Sequence, residues 1–125
     1  MIDKLNVHDD EMLYRSISEE IFATCLNGVS SAVYKSKNGG VSVDREGCRS
    51  VSEIFASFLL IRPKTKAMTQ IKTLDCRNLD TIVIPLPLNE NIYHAEIHNS
   101  SDKIEMSDSK AKKLSRKSKL IETPL

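Results

Sequence analysis

Residues 29–45 read VSSAVYKSKNGGVSVDR, two alternating runs either side of Asn-Gly-Gly. Val29, Ser31 and Val33 alternate with Ser30, Ala32 and Tyr34, and Asn38-Gly39-Gly40 tolerates the positive φ of a tight turn, so the stretch predicts a β-hairpin. A hairpin between two helical patterns implies an α+β chain, in which helices pack on a largely antiparallel sheet.

The flanking helix starts are marked by the same device. Ser16-Ile17-Ser18-Glu19 and Ser50-Val51-Ser52-Glu53 both match the capping box, where Ser and Glu satisfy each other's backbone donors. The first predicts a helix through about Leu26, with Ile17, Ile21, Phe22, Cys25 and Leu26 inward and Asn27-Gly28 as its stop. The second predicts a helix from Val51 to about Ile61, because Val51, Ile54, Phe55, Phe58 and Leu59 form a buried stripe and Pro63 forbids continuation. Beyond Pro63, AMTQIKTL (67–74), TIVIPLP (81–87) and NIYHAEIHN (91–99) are short, β-branched or alternating, and separated by Asn, Asp and Pro. The expected architecture is α+β, a small, mostly antiparallel or mixed sheet of about five strands packed by about two helices, followed by a basic C-terminal helix or tail.

With 125 residues, 40% hydrophobic and 28% charged, the chain has the size and balance of one globular domain. No apolar run approaches the ~20 residues a membrane-spanning helix needs, and the acidic N-terminal MIDKLNVHDDEM is unlike a signal peptide, so a cytoplasmic protein is expected. Cys25, Cys48 and Cys76 are odd in number and widely spaced, which argues against a disulfide framework and against a zinc site. Neither a metal nor a cofactor is expected.

Charge divides the chain. Residues 1–108 carry 12 basic and 16 acidic side chains, a net of −4, whereas 109–125 carry six and one, a net of +5. The sequence therefore reads as an α+β body over 1–108 and a basic amphipathic tail over 109–125, its helix capped by Ser107 or Asp108. Lys110, Lys112, Lys113, Arg116, Lys117 and Lys119 are suited to nucleic-acid phosphates or an acidic protein; the thin apolar side of Ala111, Leu114, Ser118 and Ile121 lacks the aromatics of a membrane anchor.

No GxxxxGK[ST], GxGxxG, HExxH or GxSxG motif is present, which disfavours the enzyme families that carry them. Three weaker groups remain. LYRSI (13–17) sets Arg15 before the first expected helix, where a guanidinium can hold a phosphate or carboxylate. Ser30, Ser31, Lys35, Ser42, Asp44 and Arg45 cluster hydroxyls with cations if the hairpin forms, a composition suited to anion binding. In YHAEIH (93–98) a period of two puts His94, Glu96 and His98 on one strand face, where His94 with Glu96 can do acid–base work. For a metal, the only further histidine is His8.

LYRSI, SSAVYK, VSVDR and HAEI, in that order and followed by a Lys-rich stretch, resemble a family of short uncharacterised bacterial proteins whose pattern is LYR-x-I, SS-x-x-[FY]K, SVD and HA. The resemblance spans most of residues 13–120 and implies a bacterial cytosolic setting; it draws attention to Arg15, Ser30, Ser31, Lys35, Ser42, Asp44 and His94 without implying an activity. The longer polar HNSSDKIEMSDS (98–109) departs from it and puts the docking of the tail in doubt. The functional expectation is binding of nucleic acid or of a nucleotide phosphate. The alternatives are a non-catalytic interaction module, such as an accessory or antitoxin-like subunit, and an RNA-processing or ADP-ribosyltransferase-like enzyme with Arg15, Ser30 and Glu96 in the Arg, Ser and Glu places.

Overall fold

A computed structural model of the chain describes residues 2–36 and 39–122. Six antiparallel strands, β1 (Met12–Ser18), β2 (Val41–Arg45), β3 (Thr65–Lys72), β4 (Ile82–Pro85), β5 (His94–His98) and β6 (Lys119–Ile121), form one sheet in the order β4-β5-β2-β1-β3-β6. Four α-helices, α1 (Glu19–Phe22), α2 (Val51–Ile61), α3 (Thr73–Asn78) and α4 (Asp108–Lys117), complete the α+β fold with a 3-10 turn over Ser31–Tyr34.

That turn corrects the expected hairpin. Val33 and Tyr34 are neighbours in sequence yet both are buried, an arrangement strand alternation forbids and a 3-10 turn permits. Only the second arm, β2, is a strand, and it pairs with β1 and β5. The expected turn lies partly on Asn38, outside the described residues.

The first capping box is also overridden. Leu13, Arg15 and Ile17 alternate with Met12, Tyr14 and Ser16 in a ladder along β3, so Ser16 stands opposite Met68 in a strand. Ser18 takes over as the cap of a four-residue helix, its Oγ accepting from the Ile21 N–H. The second box forms as expected: Ser50 Oγ accepts from the Glu53 N–H, the Glu53 carboxylate accepts from the Ser50 N–H, and the helix stops before Pro63. Two elements have no counterpart in the sequence reading, α3, whose first two positions, Thr73 and Leu74, fall at the end of the strand expected over 67–74, and β6.

The two faces of the sheet are covered unequally. One buries Leu13, Ile17, Val41, Val43, Ala67, Ile71, Ala95 and Ile97 with Val33 and Tyr34 of the 3-10 turn, Cys76 of α3, and Ala111 and Leu114 of α4. The basic segment expected as a tail is thus built into the body: Leu114 is fully buried, β6 pairs with β3, and Tyr34 Oη bonds Ser118 Oγ at 2.6 Å. On the other face α2 sets Ile54, Phe55 and Phe58 on Tyr14 and Met68, flanked by Met12 and Ile121. That helix covers the β1–β3–β6 half. The β5–β2 half carries no helix there and presents Ser42 and Asp44 opposite Glu96 and His94.

Candidate functional site

On this uncovered half a cleft of about 170 Å³ runs between the sheet, the end of α2 and the loop after β4. The sheet contributes Ser16, Ser42, Asp44 and His94, the helix Phe58, Ile61 and Arg62, and the loop Leu88, Glu90 and Asn91. Asp44 is buried; its Oδ1 accepts from Asn91 Nδ2 at 2.9 Å and its Oδ2 lies 3.7 Å from Arg49, whose guanidinium stacks on the Tyr93 ring. Burial of the carboxylate is tolerable because one oxygen is hydrogen-bonded and the other faces a guanidinium.

His94 stands directly across the ladder from Asp44. Its Nδ1 is 2.9 Å from the Leu86 carbonyl, which only accepts, so Nδ1 carries the proton and the neutral ring has its lone pair on Nε2. Nε2 has no partner among the described residues.

A second recess of about 230 Å³ shares Ser16 and Arg62 with the cleft and is lined further by Arg15, Ser18, Ile21, Lys64 and Thr65. Arg15 leaves the sheet here, donating Nε–H to the Val33 carbonyl and Nη1–H to the Ser42 carbonyl at 2.8 Å. Its Nη2 makes no hydrogen bond among the described residues, and no solvent-sealed side-chain nitrogen there lacks one, so Nη2 reaches solvent. Burial draws the Arg15 guanidinium below its usual value; Tyr34 works the other way, and the neighbouring Arg62 charge lowers it further. Among the described residues neither Arg62 nor Lys64 forms an ion pair, and no carboxylate lines the recess. Glu19 and Glu20 share a separate depression with Lys64 without pairing to it.

Other expected site residues have structural partners. Arg45 donates four of its five N–H groups, to both Glu11 oxygens at 2.9 and 2.6 Å and to the Asp3 and Asn6 carbonyls, tying the N-terminal segment to β2, and at 1% exposure it is out of an anion's reach. Lys35 lies 3.7 Å from Asp108, Ser30 Oγ bonds Thr24 Oγ1 at 2.6 Å, and Ser31 opens the 3-10 turn on the far side of the sheet. Glu96 is held by His98, Oε1 to Nε2 at 2.9 Å, so it is not the partner of His94. Nor does Glu96 meet Ser30, as an ADP-ribosyltransferase-like site requires, because Ala95 and Ile97 put it on the opposite face from the 3-10 turn. His8 pairs with Asp3 at 3.0 Å, and among the described residues no three His, Cys, Asp or Glu side chains are placed to hold a metal ion.

The sheet thus gathers Ser42, Asp44 and His94 from separate sequence groups around one cleft, with Arg15 reaching the adjoining recess. Sequence reading missed Phe58, Arg62, Lys64 and Asn91. The available signal was IRPK (61–64), two bases flanking the proline that ends α2 beside β1.

Among the described residues no helix is long and apolar enough to cross a membrane. Comparison of the chain with protein-family models, with curated proteins and with solved structures gives no match.

Proposed function

We propose that this chain binds a phosphate-bearing small ligand of the nucleotide class, with the phosphate in the recess and the remainder in the cleft. The carrying observation is Arg15, a guanidinium largely withdrawn from water, bonded through Nε and Nη1 and lining a recess that holds Arg62 and Lys64 and no carboxylate. Buried cations are ordinarily paired, and adjacent guanidinium groups repel, so an anion seated there relieves both costs. Arg supplies parallel N–H donors that fit phosphate oxygens, and Ser18 adds a hydroxyl, while Thr65 Oγ1 donates to the Arg62 carbonyl and Ser16 Oγ to Thr65.

The cleft suits the uncharged part of such a ligand. Phe58, Ile61 and Leu88 give apolar walls, while Ser42, Asp44 and Nε2 of His94 accept or donate hydrogen bonds. Calorimetric titration of nucleoside monophosphates, with the matching nucleosides and inorganic phosphate as controls, tests the reading. Binding that weakens at least ~10-fold for the nucleoside, and again for the Arg62→Gln/Lys64→Gln variant, supports it, each step being about 1.4 kcal/mol. Equal affinity for nucleoside and nucleotide, or no binding of either, overturns it.

A second reading, an interaction module, draws on the cleft rim, where Ile61, Leu88 and Ile92 are 52%, 42% and 46% exposed around adjoining depressions. Apolar groups grouped this way favour contact with another surface. A concentration-dependent rise in molar mass by light scattering that Ile61→Asp abolishes would favour it.

A further inference from the structure

On the opposite side of the sheet from the cleft, α4 carries a cationic ridge. Lys112, Lys113, Arg116 and Lys117 are all exposed, whereas Ala111, Leu114 and Ser115 of the same helix are buried. Positions i, i+1, i+4 and i+5 share one side of a helix, so four positive charges stand along about 7.5 Å of axis. None of the four has an ion pair or hydrogen bond from its side chain among the described residues.

The ridge is held rigidly. Ser107 caps α4, Leu114 is locked in the core, Ser118 is bonded to Tyr34, and Lys110 ties the first turn down by donating to the Asp80 and Asn99 carbonyls at 2.8 and 2.7 Å. Lys110 is thereby removed from the set of free cations, and Lys119 belongs to β6, whose Lys119 and Ile121 face the α2 side.

We infer that this ridge is a docking surface for the phosphate backbone of a nucleic-acid duplex, distinct from the ligand recess. The occupant follows from what the ridge offers. A duplex presents one negative charge per ~1.7 Å of axis, which matches closely spaced cations on a convex helix. An acidic membrane would need an apolar side to insert, and the apolar residues of α4 are in the core. Single strands rely on aromatic stacking platforms, and α4 exposes no aromatic side chain. Cations alone contact phosphates without reading bases, so binding is independent of sequence.

Fluorescence anisotropy of a labelled mixed-sequence DNA duplex with the full chain tests this. Four phosphate contacts give a logarithmic salt slope of about −3.6, a ~150-fold loss of affinity between about 50 and 200 mM salt. Lys112→Gln/Arg116→Gln removes two contacts and leaves a ~12-fold loss over the same interval. Both positions are exposed, and an unchanged melting temperature for this variant shows that the fold is retained. Arg62→Gln/Lys64→Gln leaves duplex binding unchanged, which separates failure of this surface from failure of the ligand site. No duplex binding at low salt, an unaltered salt slope in the α4 variant, or tighter binding of a single strand than of the duplex overturns the inference.

Discussion

Tyr34 joins the parts of the fold that lie farthest apart in sequence, and replacing it with Phe tests whether they are joined as described. Its hydroxyl bonds Thr69 Oγ1 on β3 at 3.0 Å and Ser118 Oγ, between α4 and β6, at 2.6 Å. Tyr34→Phe keeps the ring in place and leaves a buried threonine hydroxyl short of one partner, which costs ~1–3 kcal/mol near pH 7. Burial pushes the Tyr34 phenol up to about 12, against the ordinary 10.0. A raised value in the folded state means that stability is complete below the unfolded value and is lost as pH rises toward 12. Two units correspond to roughly 3 kcal/mol in full, of which about half is lost by about pH 11. Phe cannot lose it. Tyr14, also raised, is common to both proteins and cancels in the difference, whereas Cys76, also raised, acts on Tyr34 directly and adds to the rise of the phenol. Urea unfolding of both proteins across this range should therefore show the penalty of the variant shrinking by roughly 1 kcal/mol between pH 8 and 11. A penalty constant over that range would mean that the Tyr34 hydroxyl meets water, and that the 3-10 turn, α4 and β3 do not enclose it.

On the acid side, burial alone would raise the Glu11 carboxyl, but hydrogen bonds from Arg45 and the His8 N–H outweigh it and hold it low. Stability from this pair is present above the ordinary Glu range of about 4.3 and lost as pH falls through the lower folded value; Glu11→Gln should destabilise the protein near pH 7 and progressively less in more acid solution, by chemical denaturation. Cys48 is exposed, whereas Cys76 is buried and its thiol is pushed up to about 12. A thiol reagent near pH 8 should label Cys48 at once and Cys76 only at the rate of unfolding, as mass spectrometry of digested protein can read. Ser50→Ala removes a complete capping box and should cost ~1 kcal/mol in thermal unfolding, while Ser16→Ala, at a position that resembles a cap but lies in β1, should not lose a cap.

Legibility in the sequence followed how locally each element is determined. The helix α2 was readable because cap, stripe and proline stop all lie within it. β5 was readable because Ala95 and Ile97 face the core and His94, Glu96 and His98 do not. Ser16-Ile17-Ser18-Glu19 misled because its local preference for a helix start is outweighed by pairing along β3, a partner about 50 residues away. The run from Ser31 to Tyr34 alternates like a strand, but core space under α4 decides its shape. With six and three residues, α3 and β6 are too short for periodicity to declare, and Lys72, which precedes α3, supplies no side-chain cap. For the site, the residue types were visible and their grouping was not. Ser42, Asp44 and His94 meet because β2 and β5 are neighbours, an order of strands that no single sequence states, and Arg62 and Lys64 join them only because α2 ends over β1.

The central claim is that Arg15, Arg62 and Lys64 form one anion site. The most direct measurement is a nuclear magnetic resonance titration of the isotope-labelled protein with a nucleoside monophosphate, following arginine side-chain N–H signals and the backbone amides of residues 62–65. The account predicts saturable shifts of the Arg15 and Arg62 signals and of the Thr65 amide, with the Arg15 and Thr65 shifts needing at least ~10-fold more ligand in Arg62→Gln/Lys64→Gln. Saturable shifts confined to Arg116 on α4, or an Arg15 signal that does not move, would contradict it.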